Sequence, residues 1–406
     1  MVTALLLAPT TAHARGVAAS PGSPAPSAAS AAVPPAAPSP TSDGNSPDSP
    51  DPHPPRGGIG PDGRAVGGQA LLSRGLVVPP RVPALPDSLT AQAWVLVDLD
   101  SGDVLAARDP HGRYQPASIL KTLTSITLLP LLPGNRSVTV SATAARAEGS
   151  AAGLRTGGVY TVDQLFTGLL LVSGNDTAAA LADAAGGYQH TVDLMNRTAR
   201  SLGAYDTYVQ TPSGLDGWQQ LTSAYDMATF LRAAVNQPRF IAYDRQATGT
   251  LPGQRDGATA PVTMYNQNEQ FLTSVPGALV AKTGYTDAAL HTFVGAIARH
   301  GRRLGVVFMR AQRWPTDQWQ QATDLIDWGF ALPPGTRAVG HLDPAVSPPV
   351  SAPVSSRSAV AEQAGLAALA RPASGKGNPA VLIALLIAAM VATGLLSWRN
   401  IRATRR

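Results

Sequence analysis

The chain has 406 residues, no cysteine, seven histidines, and a formal net charge of +5 from 31 basic and 26 acidic side chains. Without cysteine there can be no disulfide, thiolate zinc site or cysteine nucleophile, and the scattered histidines form no H-E-x-x-H or similar cluster, which argues against a metal site. Residues 86–334 carry 18 basic and 20 acidic side chains, so the positive excess sits in the flanks and is poor evidence for a nucleic-acid-binding face.

In chain order, residues 1–14 read as a weak signal segment, with a short apolar run and an A-x-A-like site at Ala12-His13-Ala14. Residues 15–86 are dominated by Pro, Ala, Ser and Gly, a composition expected to remain a disordered linker because it buries too little apolar area. Residues 87–335 form the expected folded unit. A hairpin is predicted with strands Trp94–Leu99 and Val104–Arg108 around the turn Asp100-Ser101-Gly102. A helix follows Pro116, with Ser118 in its first turn and a buried stripe of Leu120, Leu123, Ile126 and Leu129. Thr161 is the expected N-cap of a second helix. Further helices are predicted from about Asp176, over 190–203 and over 222–235. Two strands at 291–299 and 303–311 flank His300-Gly301, and a closing helix covers 315–330. This order suits an antiparallel sheet built from both ends of the unit, with helices packed on it.

Residues 336–378 repeat the Pro/Ser/Ala-rich character and read as a second tether. Residues 380–398 are 19 uncharged residues, about the length of a membrane-spanning helix, and 399–406 carry four arginines. The positive-inside rule then places the tail in the cytoplasm and the folded unit outside the cell membrane.

Only three of the 31 basic residues are lysines: Lys121, Lys282 and Lys376. Arginine stays protonated in proteins, whereas lysine can lose its proton when buried or crowded by other cations. Lys376 precedes the apolar segment. Lys121 stands three residues after Ser118, on the same helix face. A serine needs a base, and Lys121 could serve if burial and a second ammonium lowered its pKa. Lys282 is the only other lysine in the folded part. Alone, each short motif has a bland reading: Ser118 as a helix-start residue, Lys121 as a solvated side chain, Ser173-Gly174-Asn175 as a loop with Asn175 or Asp176 capping the next helix, and Gly284 as a turn.

Together, Ser118-Ile119-Leu120-Lys121, Ser173-Gly174-Asn175 and Lys282-Thr283-Gly284 resemble the three motifs of the serine-type D-alanyl-D-alanine carboxypeptidases, the low-molecular-mass penicillin-binding proteins. The resemblance runs from about Leu89 to Phe330. It implies an α+β, β-lactamase/penicillin-binding-protein-like fold, with an antiparallel sheet flanked by helices and a helical subdomain. It implies removal of the terminal D-alanine from peptidoglycan stem peptides through an acyl-enzyme, with β-lactams as inhibitors and no cofactor. Ser118 would be the nucleophile, Lys121 its base, and Ser173 the proton donor to the leaving nitrogen. Asn175 would hold the peptide, and Lys282 and Thr283 the terminal carboxylate. Gly284 would permit close approach of the strand, and the N–H groups of Ser118 and Tyr285 would form the oxyanion hole.

Two positions depart from the family's habit: Val280 stands where glycine is frequent, and a tether replaces the frequent β-rich second domain. A class A β-lactamase would need a glutamate to activate the deacylating water. The only glutamate between Asn175 and Lys282 is Glu269, with Thr273, not asparagine, four residues on. A DD-endopeptidase or transpeptidase shares the motifs, and a catalytically silent wall-binding protein is the reading from another class.

Overall fold

The computed structural model describes residues 57–253 and 260–342. The signal segment, most of the first linker, the second tether beyond 342, the apolar segment 380–398 and the basic tail lie outside the described residues. Among the described residues, no helix is long and apolar enough to cross a membrane.

The strands, in chain order, are β1 Leu76–Val77, β2 Ala93–Asp98, β3 Asp103–Arg108, β4 Ser137–Thr139, β5 Val159–Thr161, β6 Thr248–Leu251, β7 Val262–Tyr265, β8 Ala278–Thr286, β9 Leu290–Arg299, β10 Arg302–Ala311 and β11 Gly340–His341. The helices are α1 Lys121–Leu128, α2 Ala142–Ala145, α3 Val162–Leu171, α4 Asn175–Ala184, α5 Tyr188–Ser201, α6 Ala224–Ala234, α7 Pro238–Asp244, α8 Glu269–Ser274 and α9 Gln318–Phe330. The main sheet is antiparallel with order β1-β3-β2-β10-β9-β8, and β11 also pairs with β3. The pairing of β2 with β10, Val95 opposite Val307, joins the two ends of the unit as expected.

Every residue of β2 is buried, because the sheet is covered on both faces. Alternate side chains feed two cores. Ala93, Val95 and Val97 join the larger core with residues of α1 and α3 to α7, whereas Trp94 and Leu96 join a second core with residues of α8 and α9. Trp94 is fully buried, so Trp94→Ala belongs to the class of core truncations that cost about 3–5 kcal/mol.

The predicted elements sit close to their expected places. Thr161 does cap α3, in a capping box with Gln164. The helix after Pro116 differs in kind. Ala117–Leu120 is a single 3-10 turn, and the α-helix begins only at Lys121.

The folded unit is longer than its composition implies. Residues 57–86, expected as linker, are packed: Leu71 is fully buried, Val78, Val82 and Leu85 lie against the second core, and β1 extends the sheet. Asp206 accepts the Gly58 N–H at 2.9 Å and lies 2.7 Å from His111 Nδ1, while His111 Nε2 lies 3.1 Å from the Val66 carbonyl. A few spaced apolar anchors and one polar latch suffice, and average composition dilutes them. At the other end β11 and the fully buried Leu342 extend the unit into the expected tether.

Candidate active site

The site forms where the 3-10 turn at 117–120 meets the inner edge of β8. In a 3-10 helix, side chains three apart eclipse, so the turn places Lys121 directly beside Ser118. Lys121 Nζ lies 2.9 Å from Ser118 Oγ, 2.7 Å from Asn175 Oδ1 and 2.7 Å from the Ser213 carbonyl. Lys121 is fully buried. Burial, reinforced by the Lys282 ammonium, pushes its pKa well below the ordinary lysine value, against a smaller opposing pull from Asp176. Both causes were the ones the sequence called for.

Ala117, just before the nucleophile, has φ 49°, and Ser173 has φ 59°. Left-handed backbone in residues other than glycine is costly and is characteristic of functional loops. Ser173 Oγ is buried and has no hydrogen-bond partner in the protein, and Ser173 lines the cleft facing Ser118. Asn175 opens α4, whose N-cap is Gly174 with no side-chain cap. Asp176 accepts the first-turn N–H of Thr177 and also the N–H groups of Ala152, Gly153 and Leu154, fixing the loop beside Ser150. Asn175 spans the same region, with Oδ1 on Lys121 and Nδ2 on the Glu148 carbonyl. It is placed to hold the lysine and the loop, not to face the cleft.

Lys282 lies inside β8, not at an element edge, and is buried beneath the cleft floor. Its Nζ donates to the Thr283 carbonyl at 2.7 Å. Burial lowers its pKa to about 8, with Asp244 pulling it back up. Burial raises Asp244 to about 7; Asp244 accepts the Ala281 N–H at 2.8 Å. Thr283 Oγ1 accepts from Gln318 Nε2 at 3.1 Å. Gly284 is where β8 touches the turn: a Cβ there would lie 2.7 Å from Ser118 N and 2.6 Å from Thr292 Oγ1. Tyr285 is exposed on the rim, its ring 4.7 Å from that of His291. Val280 points into the larger core, where a bulge between Ala278 and Val280 accommodates it.

The cleft holds about 390 Å³ and includes Ser118, Ser173, Thr283, Gly284 and Tyr285 in its walls. Sequence reasoning missed Asp244, Asn268, Arg313, Gln318 and the Ser213 carbonyl, since each comes from an element without a motif. Only Gly214 carried a hint: at φ 87°, against Ala117, it is a position that suits glycine. Among the described residues, no cluster of side chains could hold a metal ion.

The D-alanyl-D-alanine carboxypeptidase family model matches residues 81–313. The D-alanyl-D-alanine carboxypeptidase DacB2 of Mycobacterium tuberculosis is 43% identical over 263 residues, which are 64% of this chain and 88% of that protein. The crystal structure of a D-alanyl-D-alanine carboxypeptidase from Mycobacterium tuberculosis H37Rv superposes with a TM-score of 0.61 at 41% identity, over 65% of this chain and 99% of that one. Penicillin binding protein 6B from Escherichia coli gives a TM-score of 0.56 at 30% identity, over 62% and 81% of the two chains. Some curated relatives are longer, and the chain spans 64% of their length. The motif geometry, the fold and these matches agree: this chain belongs to the D-alanyl-D-alanine carboxypeptidase family of serine hydrolases.

Proposed function

We propose that this enzyme removes the terminal D-alanine from peptidoglycan stem pentapeptides through an acyl-enzyme on Ser118. The observation that carries the reading is the Lys121 environment. A neutral amine has two N–H bonds and one lone pair. The carbonyl oxygens of Asn175 and Ser213 can only accept, so they take the two N–H bonds. The lone pair is then left for the Ser118 hydroxyl at 2.9 Å. The base is held in its working orientation before substrate arrives.

In the first step the Ser118 oxygen bonds to the carbonyl carbon of the penultimate D-alanine, and its proton passes to Lys121. The developing oxyanion is met by the N–H groups of Ser118 and Tyr285, an assignment supported by the close approach of β8 to the turn at Gly284. The C–N bond then breaks, and Ser173 Oγ relays the proton to the leaving nitrogen. Thr283 and Arg313, both in the cleft wall, meet the terminal carboxylate; Lys282 adds its charge from below. Water finally adds its hydroxyl to the acyl carbon and returns a proton to Ser118.

Glu148 and Glu269, the glutamates among the described residues, are both exposed and lie outside the cleft wall, so neither is placed to speed deacylation of a penicillin. β-Lactams therefore act as inhibitors. Intact-mass spectrometry after brief exposure to penicillin G should show one drug mass on Ser118 and none in Ser118→Ala. Rapid hydrolysis of the drug without an adduct would refute the reading. Release of D-alanine from a pentapeptide, set against cleavage of cross-linked muropeptides, separates carboxypeptidase from endopeptidase or transpeptidase action.

The apolar segment 380–398, with the arginines that follow it, supports attachment to the cell membrane with the catalytic unit outside. Loss of membrane fractionation on truncation after Gly377 tests this part.

A further inference from the structure

Four polar side chains lining the cleft have a buried atom without a hydrogen-bond partner: Ser173 Oγ, Asn268 Nδ2, Gln318 Oε1 and Trp319 Nε1. Ser173 is accounted for by the reaction. The other three are not. They come from two separate elements, Asn268 from the N-cap of α8 and Gln318 and Trp319 from the first turn of α9. Asn268 is only 5% exposed. A buried polar atom left unpaired costs about 1–3 kcal/mol, so such atoms on residues lining one cleft call for a ligand.

Their chemistry is mixed. Trp319 Nε1 and Asn268 Nδ2 donate, and Gln318 Oε1 accepts. The orientation of the Gln318 amide follows from Thr283. With Nε2 donating to Thr283 Oγ1, the threonine proton stays free for a substrate carboxylate. The reverse orientation would consume that proton. Phe271 and Phe293 also line the cleft and supply an apolar surface, with their rings edge to face at 5.4 Å. Arg313, the cation in the wall, is paired with Asp317 at 2.6 Å and is taken by the terminal carboxylate in the proposed reaction.

We propose that Asn268, Gln318 and Trp319 form a subsite for the side chain of the leaving residue, and that it takes a primary carboxamide on a short apolar stem. The stem lies against Phe271; the carboxamide oxygen accepts from Trp319 and Asn268, and its NH₂ donates to Gln318. A carboxylate on the same stem is acceptor-only and faces the Gln318 oxygen unfavourably. An ammonium is donor-only and leaves Trp319 and Asn268 unpaired. The subsite rests on the reading of the cleft as a DD-peptidase site. It extends the substrates to peptides whose leaving D-residue is larger than alanine and bears an amide. The bonds are those of the proposed reaction: Ser118 O–C forms, C–N breaks, the leaving amine takes up the proton, and water releases the acyl group.

The test uses the full chain in detergent as Ser118→Ala and three acylated peptides ending in D-Ala-D-Gln, D-Ala-D-Glu and D-Ala-D-Ala. Calorimetry should show the D-Gln peptide binding about tenfold tighter than the D-Glu peptide, the worth of one or two hydrogen bonds. Gln318→Met, added to Ser118→Ala, should shrink that ratio towards one, whatever it does to all three peptides through Thr283, and Trp319→Phe should weaken the D-Gln and D-Glu peptides together while D-Ala-D-Ala binding changes little. Equal binding of D-Gln and D-Glu peptides, tighter D-Glu binding, a ratio untouched by Gln318→Met, or D-Gln binding untouched by Trp319→Phe overturns the subsite. Release of D-alanine by the unsubstituted enzyme is read separately and bears on the reaction alone.

Discussion

Gly284→Ala isolates the contact between β8 and the nucleophile turn. The added Cβ would sit 2.7 Å from Ser118 N, 2.6 Å from Thr292 Oγ1 and 3.1 Å from Ala117 Cβ. Ordinary contact begins near 3.4 Å, so the strand and the turn must part by about 0.7 Å. Neither neighbour yields cheaply. Thr292 donates to the Pro116 carbonyl at 2.9 Å, and Ser118 N is backbone. The displacement therefore moves Pro116 to Ser118 together, away from Lys121 and away from the β8 side of the oxyanion hole. A misplacement of about 1 Å can cost 10²-fold in rate, about 2.7 kcal/mol of transition-state stabilisation. Overpacking alone costs about 1–3 kcal/mol of stability. The acylation rate should be followed by stopped flow with a fluorescent penicillin, beside thermal unfolding of the same sample. A fall of about 10² in acylation with the fold retained is expected. Acylation within threefold of the parent, at normal stability, would show that the close approach does not govern the site.

The remaining expectations concern charge and packing. Lys121→Arg keeps a cation but loses the base, so acylation should fall by at least about 10³-fold while the enzyme remains folded. The acylation rate should rise with pH through the lowered Lys121 pKa, then decline through about 8 as Lys282 loses its proton. A pH profile unchanged in Lys282→Met would refute the second limb. Asp244, raised to about 7, binds its proton more tightly in the fold than when unfolded, so its contribution is present at low pH and is lost as pH rises from about 4 to 7. In Asp244→Asn that decline, on the order of 4 kcal/mol, should vanish from thermal unfolding measured across the same range. Asp206→Ala should cost about 1–3 kcal/mol for each group it orphans and open residues 57–72 to proteolysis, because it strips His111 and the Gly58 N–H of their buried partner.

The sequence was most legible where a local rule decides the structure. The two segments flanking His300-Gly301 read as a strand pair, and Thr161 announced α3 as its N-cap. The motif residues Ser118, Ser173 and Gly284 line one cleft, and Lys121 is buried beside Ser118. What stayed hidden depends on contacts distant in sequence. Asp244 reaches β8 across 37 residues, and Gln318 reaches Thr283 across 35. No periodicity encodes such a meeting. The ordering of residues 57–86 was hidden for a different reason. A segment rich in Gly and Pro is held by a few anchors, Leu71 and Val66 among them, and by Asp206, which lies about 150 residues away.

The scarcity of lysine acquires a physical sense from this geometry. The cleft needs two cations in one low-dielectric place, one of them able to give up its charge. Two arginines there would both stay protonated, and each would then bear the full cost of burial. Two lysines can divide the task, because the Lys282 ammonium lowers the pKa of Lys121, which then loses its proton first. The carboxylates decide which. Asp244 pulls Lys282 upward from beneath β8, whereas Asp176 is committed to three backbone N–H groups of the neighbouring loop and offsets only part of the burial of Lys121. The asymmetry leaves Lys282 as the cation and Lys121 as the base. It also explains why Asp244→Asn should be felt in the pH dependence of acylation as well as in stability: removing the carboxylate that favours the Lys282 charge shifts the falling limb to lower pH. A falling limb that stayed at the same pH in Asp244→Asn would mean that Lys282 is not the group that sets it.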